Sequence, residues 1–183
     1  MKEALQEVDI GILLWLNGLG KEPWDTLVWY ATQTWVWLPL FFIGLLWNIH
    51  REGKKAWVSL LLIGAAPLSA DLITSKILKP WIGRPRPTHE CRLAPAIRVI
   101  RGYKGGKYSF PSSHAANSMA LACTFSFWAR HPLVWAISLT WAFFHSLTRI
   151  YLGVHYPSDI LGGWFVGFLI SVVLLAIFRR LND

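Results

Sequence analysis

Ile160-Leu-Gly-Gly-Trp-Phe-Val-Gly-Phe-Leu-Ile-Ser-Val-Val-Leu-Leu-Ala-Ile-Phe178 runs for 19 residues without a charge, and Arg179-Arg180 follows at once. A helix of that length covers most of the roughly 30 Å of hydrocarbon in a bilayer. Reading outward, three more apolar runs are long enough, or nearly so, to do the same: Leu133 to Ile150, Ala56 to Leu78 with Asp71 near its far end, and Trp24 to Trp47. Ser113 to Ala129 is apolar but rich in Ala and Ser. Small residues let membrane helices pack closely, so it counts as a further span. Val8 to Leu19 is apolar but too short to cross. It follows Glu3, Glu7 and Asp9, ends in Asn17-Gly18, and reads as an interfacial helix. It is a poor match to a cleaved signal peptide. The expected fold is all-α: a single domain over 1–183, a polytopic membrane helix bundle of about five transmembrane helices plus a short N-terminal interfacial helix.

Composition points the same way. Hydrophobic residues make up 54% of the chain and charged residues 15%, against about 25% charged in soluble domains. The 12 tryptophans suit membrane–water interfaces. Cys91 and Cys123 offer neither a disulfide framework nor a metal-ligand spacing.

The net charge of +8 is concentrated. Nine basic residues lie between Lys76 and Lys107, with Glu90 as the only acid among them; the rest of the chain carries nine of each sign. Such a field attracts an anion: phosphate, nucleic acid or an acidic lipid head group. The short basic connections are His50 to Lys55, Arg130-His131-Pro132 and the end near Arg179-Arg180. With five spans all three fall on one side, and short basic loops are usually cytoplasmic. The stretch 76–112 then falls on the opposite side, where its charge serves chemistry and not topology.

Three clusters border that face. In Lys79-Pro-Trp-Ile-Gly-Arg-Pro-Arg86-Pro87, two cations on a proline-stiffened segment can hold an oxyanion, lysine as a point charge and arginine as a planar fork. Alone, this is equally an ordinary basic juxtamembrane stretch. In Phe110-Pro111-Ser112-Ser113-His114, a helix start would turn free N–H groups toward an anion, Ser112 adds a hydroxyl, and His114 is placed to give a proton to a leaving oxygen. A capped helix start with an interfacial histidine is the plainer alternative. In Thr148-Arg149-Ile-Tyr-Leu-Gly-Val-His155-Tyr-Pro-Ser-Asp159, a carboxylate bonded to one imidazole nitrogen would leave the other free to attack. Asp159 can also simply cap its helix. Together the clusters supply what phosphoryl transfer needs: cations, a nucleophile and an acid for the leaving group.

These clusters resemble the three signature motifs of the type 2 phosphatidic acid phosphatase (PAP2) superfamily, which also includes vanadium haloperoxidases and bacterial acid phosphatases. Lys79 and Arg86-Pro87 match the first, Pro111-Ser112-Ser113-His114 the second, and Thr148-Arg149, His155 and Asp159 the third, in order and spacing. Ser113 stands where the family usually has Gly, and Thr148 where it has Ser. A backbone needing positive φ at Ser113 would be strained. The resemblance implies that His155 is the nucleophile and forms a phosphohistidine, Asp159 orients it, and His114 protonates the leaving group. Lys79, Arg86, Ser112, Ser113 and Arg149 would hold the phosphoryl oxygens, with no metal and no cofactor.

Compact size and the run Arg98 to Lys107 are similar to the membrane-bound bacterial lipid phosphatase branch, which acts on lipid A, undecaprenyl diphosphate, phosphatidylglycerophosphate or phosphatidic acid. His89, Arg92, Arg98, Arg101, Lys104 and Lys107 would then contact the rest of a head group; singly, each reads as part of a solvated loop. His50 and His131 fall in the basic connections, and His145, inside the fourth span, is expected to pack or hydrogen-bond rather than react. The expected setting is the bacterial inner membrane, multi-pass, with the site on the periplasmic or extracellular face. A membrane lipid is the expected substrate and the phospholipid bilayer the surroundings, with no nucleic acid and no obligatory protein partner. A lipid translocator or a passive anionic-lipid binder would also want cations at a membrane face, but neither needs paired histidines with an Asp four residues beyond one of them.

Overall fold

A computed structural model describes residues 2–53 and 56–182. Lys54 and Lys55 of the expected cytoplasmic loop lie outside them. The described residues are helical apart from loops and one isolated antiparallel bridge between Pro85 and Tyr108. The helices are α1 (Lys2–Gly18), α2 (Trp24–Ala31), α3 (Thr34–Glu52), α4 (Ala56–Leu72), α5 (Lys79–Ile82), α6 (Ser113–Ala129), α7 (Pro132–Tyr151) and α8 (Pro157–Asn182). A π-helical stretch, Ile73–Leu78, joins α4 to α5 without a break.

α6 is the axis, because its small side chains let neighbours come close. Ala66 and Ala70 of α4 pack on Ala116 and Ala120. On the other side Gly163 and Gly167 of α8 meet its backbone: a Cβ on Gly167 would stand 2.2 Å from the Ala116 carbonyl oxygen, and one on Gly163 2.5 Å from that of Ser112. This is the small-xxx-small contact that sets helix spacing where lipid supplies no hydrophobic drive.

The outward faces are apolar. Leu38, Phe42 and Leu46 of α3, Trp57, Leu61 and Leu68 of α4, and Phe165, Val172 and Ile177 of α8 are all exposed. Soluble domains rarely leave so large a contiguous apolar surface open. The continuous helix Ala56–Ile82 and the stretch Pro157–Arg180 are long and apolar enough to cross a membrane; α3, α6 and α7 run beside them with 19, 17 and 20 residues.

The basic ends share one end of the bundle. Arg51 donates to the Ala129 carbonyl (2.6 Å), Trp128 packs on Phe178, and Arg179 lies 5.0 Å from the Phe127 ring. At the opposite end α1 lies over the bundle, burying Asp9, Leu13 and Asn17 while Leu5, Val8, Ile12 and Trp15 face outward. The helix is longer than the Val8–Leu19 reading, but its outward stripe suits an interface.

The first expected span, Trp24 to Trp47, is two helices. Gln33 is extended between α2 and α3, and Thr32 there is held by Arg149 (Thr32 Oγ1 to Nη1 2.9 Å). The chain breaks at Gln33 within a run that hydropathy alone reads as continuous, and Thr32 beside the break accepts from a buried guanidinium.

Candidate active site

Lys79, the first residue of α5, follows the π-helical stretch. π-turns change a helix's phase by one residue and recur at functional sites. Here Thr74 Oγ1 donates to the Ala70 carbonyl (2.7 Å) and stands 2.9 Å from Ser113 Oγ, tying α4 to the start of α6. Ser113 does not take a positive φ, so serine fits this position without strain, and its hydroxyl joins helices. Ser112 caps α6: its Oγ accepts from Ala115 N–H (3.4 Å), and its own N–H donates to the Asp159 carbonyl (2.9 Å). The first-turn amides of α6 therefore lie beside the start of α8, with no intrahelical partners of their own.

His155 is set by the tight connection from α7 to α8. Gly153 takes φ +72°, which favours glycine, and a Cβ there would strike Ile97. His155 is 1% exposed and Asp159 fully buried. His155 Nδ1 lies 3.2 Å from Asp159 Oδ2, which also accepts from Tyr156 N–H (2.9 Å). With Nδ1–H held by the carboxylate, Nε2 keeps its lone pair.

Arg84 supports that carboxylate. Its Nη1 donates to Asp159 Oδ1 (2.9 Å) and Nη2 to Asp9 Oδ2 (2.7 Å), while the guanidinium lies 3.9 Å over the Tyr156 ring. Asp9 also accepts from Ser158 N–H (2.8 Å), so α1 is tied to the start of α8.

The remaining cations crowd His155. Burial pushes its pKa well below the ordinary imidazole range, and Arg86, Arg149 and Lys79 push it further. Its ring is thus neutral at physiological pH. Arg149 is 2% exposed and gives Nη1 to Thr32 and Nη2 to the Tyr103 hydroxyl (2.9 Å), leaving Nε buried without a partner among the described residues. Arg86 gives Nε to the Tyr108 carbonyl (3.1 Å) and leaves Nη1 buried without a partner. His114 follows Ser113 in the first turn of α6, near the same cations. Among the described residues no three His, Cys, Asp or Glu side chains are grouped to share a metal ion.

The structure thus gathers Lys79, Arg86, Ser112, Ser113, His114, Arg149, His155 and Asp159 at one end of the bundle. The basic loop is less uniform. Arg98 pairs with Asp25 (2.6 Å) and with the Asn17 carbonyl (3.0 Å), and Arg101 donates to Thr26 (3.1 Å) over Trp29 and Tyr30. Both dock the loop on α1 and α2. His89 sits on Thr88 (3.1 Å), Lys107 lies 5.2 Å from the Tyr108 ring, and Arg92 and Lys104 are exposed. Sequence reasoning passed over Arg84, Asp9, Thr32 and Tyr103. An acid at the start of the apolar run of α1 and an arginine inside the first cluster were the available signals for two of them; Thr32 and Tyr103 carried none.

Comparisons with known proteins follow this geometry. The sequence profile of the PAP2 superfamily matches residues 55–183. The chain is 34% identical to the lipid A 4'-phosphatase of Bacteroides thetaiotaomicron, over 91% of this chain and 75% of that one. Its fold superposes on a transmembrane PAP2 type phosphatidylglycerolphosphate phosphatase of Bacillus subtilis with a TM-score of 0.69 and 25% identity, covering 97% of this chain and 87% of that one. It shares the fold of Aquifex aeolicus LpxE as well, with a TM-score of 0.67 and 21% identity over 91% and 93% of the two chains.

Proposed function

Since the chain belongs to the PAP2 superfamily and is a membrane lipid phosphatase, we propose that it hydrolyses a phosphomonoester or diphosphate of an envelope lipid through a phosphohistidine on His155, without a metal. The lipid is lipid A, undecaprenyl diphosphate, phosphatidylglycerophosphate or phosphatidic acid.

His155 Nε2 attacks phosphorus as the P–O bond to the leaving group breaks, and His114, protonated once the anionic phosphate offsets the surrounding cations, gives its proton to the departing oxygen. Water then attacks the phosphohistidine, His114 takes the proton, and the P–N bond breaks to release orthophosphate. Asp159 holds the imidazole in the attacking tautomer. Lys79, Arg86, Arg149, Ser112 and the amides at Ser113 hold the phosphoryl oxygens, where preorganised donors do most for the transition state.

The observation that carries this reading is the pair of buried guanidinium donors without partners, Arg86 Nη1 and Arg149 Nε, beside a neutral histidine. Leaving such a donor unsatisfied costs about 1–3 kcal/mol, more when charged; a phosphoryl oxygen at each removes that cost. We propose the bacterial inner membrane as its setting, with this site on the periplasmic or extracellular face; the basic ends gathered at the other end of the bundle support that reading.

Phosphate release in detergent with EDTA present is the test, on all four lipids, with wild type and His155→Ala. Release by wild type alone, unaffected by EDTA, is expected. Equal release by the variant would remove His155 from the chemistry, and no release from any lipid would favour a passive lipid-binding or translocating protein.

A further inference from the structure

His114 lines a cavity of about 280 Å³ together with Asn117, Ser118, His145, Trp141 and Thr34. None of Lys79, Arg86, Arg149 or His155 lines it, so His114 is the one member of the phosphate site that borders it. A group that gives its proton to the leaving oxygen faces the leaving alcohol, so what departs lies on this side.

His145 is 8% exposed. Its ring is clamped between Trp141 (centroids 5.1 Å, planes 26° apart) and His114 (5.8 Å, 12°). Among the described residues both of its ring nitrogens are buried without a hydrogen-bond partner, and so is Asn117 Oδ1. The main chain of Thr32 comes near the ring without hydrogen-bond geometry. A histidine that merely filled the core would satisfy at least one nitrogen, since native structures seldom leave such groups unpaired. A neutral imidazole offers one donor and one acceptor, and Asn117 Oδ1 a second acceptor. That set is complementary to neighbouring hydroxyls.

We propose that this cavity is the leaving-group subsite and that it takes a hydroxylated unit, a sugar or a glycerol, joined directly to the scissile phosphate, with His145 and Asn117 bonding its hydroxyls. The volume is near the lower end for small-molecule pockets, about 300 Å³, and suits one such unit. The cavity shares Phe41, Pro67, Leu121 and Trp141 with an apolar crevice of about 480 Å³ between α3, α4, α6 and α7. The lipid's chains continue into that crevice while the hydroxylated unit stays beside His114. A polyprenyl phosphate has no hydroxyls to offer His145 and Asn117. The assignment rests on the phosphatase reading above.

The test compares phosphatidylglycerophosphate, whose leaving alcohol bears a glycerol, with farnesyl phosphate, whose leaving alcohol bears no further hydroxyl. Wild type, His145→Phe, His145→Gln and Asn117→Leu are purified in detergent and their thermal unfolding recorded. His145→Phe keeps the stacked ring and loses both nitrogens. The ratio of kcat/KM for the glycerol lipid to that for farnesyl phosphate is expected to fall about tenfold in His145→Phe and in Asn117→Leu, the effect of losing about 1.4 kcal/mol of hydrogen bonding. His145→Gln should recover part of it, and inhibition by orthophosphate should stay within about twofold of wild type. An unchanged ratio overturns the subsite, as does a wild type that prefers farnesyl phosphate, or a loss equal on both lipids and on orthophosphate. A wild type that releases phosphate from neither lipid overturns the phosphatase reading, and the subsite falls with it.

Discussion

His155 is neutral because it is buried among cations, and that has two consequences. A histidine whose pKa is lowered on folding contributes stability that is full above the ordinary value of 6.5 and is lost as pH falls through 6.5 toward the lower folded value. Its nucleophilic form also persists over that interval. The acid limb of kcat/KM, corrected for the substrate's own ionisation, should therefore lie below 6.5; a limb at or above it would contradict the environment described. Asp159→Asn puts an NH2 donor in place of one carboxylate oxygen, so the tautomer is no longer fixed, and kcat should fall by roughly a hundredfold or more, with a smaller loss of thermal stability than Arg84→Leu. Arg84→Leu leaves Asp9 and Asp159 without their shared cation and should cost about 3 kcal/mol, read as a lowered unfolding temperature in detergent. An Arg84→Leu protein as stable as wild type would mean that the pairings at 2.7 and 2.9 Å hold nothing together.

At the scale of elements, the contact between α6 and α8 positions both halves of the site, since Ser112 caps one helix and Asp159 opens the other. Gly167 lies two turns from Asp159, and any side chain there meets the Ala116 carbonyl. Gly167→Leu should destabilise by at least about 3 kcal/mol, beyond ordinary overpacking because backbone and not side chain must move. Loss of activity should accompany loss of the unfolding transition. Normal activity and melting would show that the two helices sit farther apart than 2.2 Å implies. The break between α2 and α3 makes the same point differently. Its polar residues Thr32 and Gln33 look like a minor dip within an apolar run, yet α2 ends there and Thr32 accepts from Arg149.

For the whole molecule, the native cysteines give a probe of topology. Cys91 is exposed in the loop between α5 and α6, and Cys123 is buried in α6. In spheroplasts a membrane-impermeant maleimide should label Cys91 from outside without lysis. Labelling only after lysis would turn the bundle over and put the site in the cytoplasm.

The sequence by itself determined the helical class and the long apolar segments, and it named the residues proposed to carry the chemistry, because hydropathy length and fixed motif spacing are local properties that a chain carries in any conformation. Lys79, Arg86, His114, Arg149, His155 and Asp159 could all be named from spacing. Only the tertiary structure decided which groups stand around them. Asp9 reaches Ser158 and Arg84 across more than 70 residues, Thr32 and Tyr103 take the two ends of Arg149, and Arg98 and Arg101 turn to α1 and α2. It also showed that His145 is stacked on His114 with both nitrogens unpaired. These are contacts between residues distant in sequence. They follow from how closely α6 lets its neighbours approach, and no local periodicity encodes them.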